Sequence, residues 1–128
     1  MTVHEFGHQY WQSMVASNEF EESWLDEGLN THSTAKVMAR VYGPWTVQLL
    51  GLRIGEDDTS RAMNSVDRMF DAIRTHAWGY SPGNYGFNSY QRTDLTLRTL
   101  ESLLGPRPMA RVMRTYHERW RFRHPASD

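Results

Sequence analysis

His4-Glu5-Phe6-Gly7-His8 stands near the N-terminus, and eighteen residues separate His8 from Glu27, which lies within Trp24-Leu25-Asp26-Glu27-Gly28-Leu29-Asn30. The first string reads as helix. Residues four apart lie about 400° around an α-helix, so both imidazoles come to one face, a turn apart. Two imidazoles placed that way can share a metal ion, or can simply be neighbours. A three-ligand site with an open position for water needs one more donor. The spacing to the second string lets one helix end, turn, and send another back past the first. Asp26 and Glu27 are the carboxylates that helix presents, and the longer Glu27 side chain reaches further. Glu5, about 100° round from His4, can approach such a water without being a ligand. It can take the water's proton as the oxygen attacks a carbonyl. Glu5 also lies three residues after Thr2, so a capping box is a competing role.

Working outward, helical spacing continues from Thr2 to about Ser17, with Val3, Gly7, Trp11 and Met14/Val15 on one stripe. A second helix is expected from about Glu22 to Tyr42, stopped by Gly43-Pro44. Trp45 to about Gly55 reads as a third. After Glu56-Asp57-Asp58-Thr59 a fourth covers about Ser60 to Thr75, with Ala62, Val66, Met69/Phe70 and Ile73 as its apolar face. Gly- and Pro-bearing His76 to Asn88 is expected to be loop. Ser89 to Leu104 is a leucine-rich amphipathic helix ended by Gly105-Pro106, and a last helix runs from about Pro108 to Phe122. No convincing two-residue alternation is read, so the expected fold is all-α, a bundle of about five to six helices. Trp11 and Trp24 are expected to pack the two metal-bearing helices together, and the seven methionines to fill gaps.

The 128 residues make one domain or a piece of one. Fourteen basic and fifteen acidic residues leave a net charge of −1, which argues against nucleic acid as a partner and against a membrane-surface patch. The arginines of the stretch from Arg107 to His124 are read as a solvated helix face. With no cysteine, any transition metal must be held by imidazole and carboxylate. The chain shows neither a signal-peptide pattern nor an apolar run approaching a membrane span. His32, His76, His117 and His124 have no ligand spacing to the first cluster. Asn30 and Thr31 are candidates for orienting a ligand.

Together, H-E-F-G-H, the eighteen-residue spacing, and the glutamate within W-L-D-E-G-L resemble the gluzincin zinc aminopeptidases of the membrane-alanine-aminopeptidase type. The resemblance implies one Zn2+ per chain at His4, His8 and Glu27, a peptide substrate, and Glu5 as the base that activates water. It also implies an oxyanion-stabilising tyrosine at the start of a helix reading Y-x-K-G, followed by leucines and L-G. Tyr90 matches that place, in Ser89-Tyr90-Gln91-Arg92-Thr93, but Arg92-Thr93 stand where Lys-Gly is usual. Tyr80 and Tyr85 are alternatives nearby, and packing against the loop is the competing role for Tyr90.

Such enzymes also carry an upstream G-x-M-E-N motif that holds the substrate amine, together with a β-sheet forming the other cleft wall. Neither is found here, so residues 1–128 are expected to be a partial catalytic domain, the helical half of a thermolysin-like zincin. Apolar helix faces left uncovered would then invite self-association, and turnover by the chain alone is expected to be weak. Two other readings stay open: a zinc endopeptidase with the same ligands, and a non-catalytic helical remnant that binds metal or a partner chain.

Overall fold

A computed structural model describes residues 1–66 and 71–127. Helix α1 spans Thr2–Trp11 and begins without a side-chain cap, Met1 being its N-cap. The Thr2–Glu5 capping box does not form; the Glu5 amide bonds the Met1 carbonyl instead, at 3.0 Å. Nor does α1 reach Ser17. Backbone groups past Trp11 pair with the far end of the chain: the Ala16 amide donates to the Arg123 carbonyl at 3.2 Å, and Val15 bridges Arg123. That pairing draws Val15 inward, to 2% exposure.

The expected second helix begins earlier, at α2 (Glu19–Ser23), where the Asn18 side chain accepts from the Phe20 amide at 3.2 Å. It continues through a π-helical turn, Trp24–Gly28, into α3 (Leu29–Tyr42). Gly43 closes α3 at φ 89°, in the left-handed region that favours glycine.

The third expected helix is a β-hairpin, of β1 (Trp45–Leu49) and β2 (Leu52–Gly55). The strands are antiparallel, with Val47 opposite Ile54 and Leu49 opposite Leu52. Trp45, Val47 and Leu49 do alternate with Thr46 and Gln48. The two-residue connection puts Leu50 and Gly51 at φ 49° and 87°. Two positive φ values make the turn whose twist matches paired strands, which a helix cannot accommodate.

Helix α4 spans Glu56–Val66, starting before Ser60. Asp58 accepts from the Gly55 amide at 2.9 Å, which anchors that early start. Met69 and Phe70, expected on its apolar face, lie outside the described residues, and Ala72 to Thr75 form a turn rather than helix. The expected loop holds a 3₁₀ turn at Ala77–Gly79 and a short helix α5 (Asn84–Gly86). A second π-helical segment, Phe87–Arg92, runs straight into α6 (Thr93–Leu104). Helix α7 covers Pro106–Trp120, with proline in its first turn, where no amide is needed.

The fold is therefore all-α apart from one hairpin. Among the described residues, five helices have ten residues or more. None is long and apolar enough to cross a membrane. Trp11, Leu25 and Leu29 form the buried centre, with Trp24, Leu97, Met113 and Tyr116 packed on it. The two tryptophans thus join α1 to the Trp24–Tyr42 arm, as their positions in the sequence predict. Each fully buried leucine there contributes about 1.5–3 kcal/mol. Trp11 lies three residues past His8 on α1, so this cluster anchors the turn that follows the two histidines.

Candidate metal centre

His4 and His8 lie one turn apart on α1, their rings edge to face with centroids 4.9 Å apart. Helix α3 approaches α1 very closely at this point. A Cβ on Gly7 would stand 1.9 Å from Asn30 Oδ1, so only glycine permits the contact. The buried Asn30 amide donates to the His4 carbonyl at 2.8 Å, locking the two helices in register. Asn30 therefore holds the backbone of a histidine, not Glu27. Thr31 Oγ1 is buried with no hydrogen-bond partner and orients neither.

The first π-helical turn widens the helix where Asp26 and Glu27 face α1. Glu27 Oε2 lies 3.1 Å from His4 Nε2 and 3.4 Å from His8 Nε2. One donor atom from each of His4, His8 and Glu27 falls within 4.8 Å of the others, and this is the one such group among the described residues. Around a tetrahedral zinc with bonds of about 2.0–2.1 Å, donors sit roughly 3.3–3.4 Å apart. The two Glu27–imidazole distances, 3.1 and 3.4 Å, match that spacing.

From the sequence, Asp26 is weighed only as the carboxylate competing with Glu27, and Glu27 is preferred. Asp26 is not in the group that Glu27 forms with the two histidines. Its Oδ1 lies 2.7 Å from His8 Nδ1, on the opposite side of the ring from Nε2. A carboxylate there makes Nδ1 the protonated nitrogen and leaves the Nε2 lone pair free to bind. Burial pushes the Asp26 carboxyl up to about 6, with His8 opposing the rise. Adjacency to Glu27 was the available signal, but it reads equally as rivalry or support.

Glu5 is on the same turn as His4 and exposed, and its carboxylate makes no hydrogen bond or ion pair among the described residues. Tyr90 comes from the second π-helical segment. Its ring stacks over that of His4, with centroids 5.8 Å apart and planes 25° off parallel. Burial, and the Glu27 carboxylate beside it, push the phenol well above its ordinary range, so it stays a proton donor. Tyr85 is also raised, by burial and then by Glu27. Tyr80 turns away and donates to the Ile73 carbonyl at 2.8 Å.

The other histidines stay apart from the cluster. His32 is buried against Asp94, with Nδ1 2.9 Å from Oδ1. His76 stacks on Trp78, His117 lies against Trp11, and His124 contacts the Ala16 carbonyl.

The model of the peptidase family M1 domain matches residues 1–127. No curated protein and no solved structure matches.

Proposed function

The chain belongs to peptidase family M1, and from that premise we propose that it is the metal-bearing part of a zinc-dependent aminopeptidase. In this reading His4, His8 and Glu27 hold one Zn2+, Glu5 is the general base, and Tyr90 is the oxyanion donor. The observation that carries it is the convergence of two imidazole nitrogens on one Glu27 oxygen, at 3.1 and 3.4 Å. Bound there, zinc would supply Lewis acidity, lowering the pKa of a water and polarising a carbonyl.

The remaining work falls to the chain's own groups. Asp26 holds the proton of His8 on Nδ1, so that Nε2 faces the centre. Glu5 takes a proton from the attacking water as a bond forms between its oxygen and the scissile carbonyl carbon. The same carboxyl returns that proton to the nitrogen as the C–N bond breaks. Its exposure and its freedom from internal partners suit a group that must give and take a proton. Tyr90 remains protonated across the working range and can donate to the carbonyl oxygen as negative charge grows there. A donor fixed against His4 needs no reorganisation at that moment.

The test is zinc-dependent hydrolysis of amino-acid amides by the chain and by Glu5→Gln, with the N-acetylated amides as controls. The expected result is release of the amine by the parent chain, loss in the variant, and no cleavage after acetylation. Equal cleavage of acetylated and free substrates would replace the aminopeptidase reading with an endopeptidase one. Amide hydrolysis that survives Glu5→Gln would remove Glu5 from its assigned role.

A further inference from the structure

The two π-helical segments, Trp24–Gly28 and Phe87–Arg92, deliver Glu27 and Tyr90 to the centre, and they touch each other. At one end of the contact, Ser23 and Ser89 share a hydrogen bond of 2.6 Å, and both residues are 0% exposed. At the other end Gly28 lies against the second segment. A Cβ on Gly28 would fall 2.2 Å from Thr93 Cγ2 and 2.9 Å from the Ser89 carbonyl oxygen. Thr93 has little room to give way, since its buried hydroxyl donates to the Asn88 carbonyl at 2.9 Å. Ser23 immediately precedes the first segment, and Ser89 immediately precedes Tyr90.

Two hydroxyls buried at a helix crossing need explanation, because two alanines would pack there without any need for partners. Apolar contact lets one helix slide along another. A short hydrogen bond between two fixed oxygens does not. One serine hydroxyl donates and the other accepts, so each answers the other's burial. Neither serine bonds to His4, His8 or Glu27, so the pair is no part of the ligand set.

We propose that Ser23 and Ser89 are positioning residues: their hydrogen bond, with Gly28 as the point of closest approach, sets the separation of Glu27 from Tyr90. The assignment rests on the roles given above to Glu27 and Tyr90. A displacement of about 1 Å in a reacting group can cost about a hundredfold in rate, which gives a fixed crossing its value.

The experiment places 3-fluorotyrosine at position 90 of the whole chain and records its fluorine spectrum before and after Zn2+ is added. It compares the parent chain with the double variant Ser23→Ala/Ser89→Ala, which leaves neither hydroxyl buried without its partner. The double variant is expected to keep the parent's thermal midpoint and its zinc affinity within about threefold, since the ligands are untouched. Its Tyr90 signal is expected to be displaced or split, and its zinc-induced shift altered. A single Tyr90 signal at the parent's position, with the parent's zinc-induced shift, would overturn the proposal. If the double variant does not fold, Ser23→Cys carries the same comparison, because a thiol fills the site but bonds weakly. If the parent takes up no zinc, the functional reading fails by itself. The zinc-free spectra of parent and variant then still decide whether the serines position Tyr90.

Discussion

Asp26 Oδ1 stands 2.7 Å from Nδ1 of His8, and the carboxylate next in sequence, Glu27, stands 3.4 Å from Nε2 of the same ring. Adjacent carboxylates thus address opposite nitrogens of one imidazole. Orienting partners of this kind are worth about 10–100-fold in metal affinity. Asp26→Ala is therefore expected to weaken zinc binding by about that factor. Asp26→Asn, whose amide oxygen still accepts from Nδ1–H, should retain most of it. Competition against a chromophoric chelator reads both.

The same residue gives a pH dependence for the metal-free chain. Burial raises the Asp26 carboxyl from 3.8 to about 6 in the folded state. A carboxyl raised on folding binds its proton more tightly when folded, so the favourable contribution is present below the unfolded value. It is lost as pH rises through the folded value. Asp26→Asn removes that loss. Its thermal midpoint should exceed the parent's at pH 7.5 by an amount on the order of 1–3 kcal/mol in stability, and the gap should close toward pH 4. A gap that widens toward acid would contradict the burial argument.

Gly7→Ala sets a Cβ where Asn30 Oδ1 now lies, at 1.9 Å. Helices α1 and α3 must separate or Asn30 must give up its bond to the His4 carbonyl. Overpacking of this kind costs about 1–3 kcal/mol. The helix that moves carries both histidines, so zinc affinity should fall together with the denaturation midpoint. A drop in stability with unchanged zinc affinity would show that the contact supports the fold alone.

Tyr90→Phe keeps the ring that stacks on His4 and removes the hydroxyl. Loss of one oxyanion donor costs about 10²–10³-fold in kcat. The expected outcome is a fall of that size with KM and zinc content nearly unchanged. A comparable rise in KM would place the phenol in substrate binding instead.

Much of this was legible before any coordinates. The His4–His8 interval announces its helix, the Gly-Pro stops end α3 and α6, and the apolar positions of α1 foretell the core. The hairpin was not, because Trp45, Val47 and Leu49 alternate over a single short strand and its turn holds Leu50 in a left-handed conformation. The π-helical turns leave no period in a sequence: a one-residue widening comes from tertiary contact, at Gly28 against Thr93 and at the ligands themselves. His4 and His8 could be paired from spacing because they are local, whereas preferring Glu27 to its neighbour Asp26 leaned on side-chain length and on the family resemblance. Ser23 and Ser89 are 66 residues apart, and nothing in either residue's neighbourhood announces the other.

The central claim is that His4, His8 and Glu27 form one metal centre with Glu5 beside it but outside the ligand set. Zinc content of the purified chain, set beside Glu27→Ala and Glu5→Gln, tests it most directly. The account predicts about one zinc per chain, lost in Glu27→Ala and retained in Glu5→Gln. Zinc bound equally by parent and Glu27→Ala, or absent from the parent after refolding with metal, would contradict it.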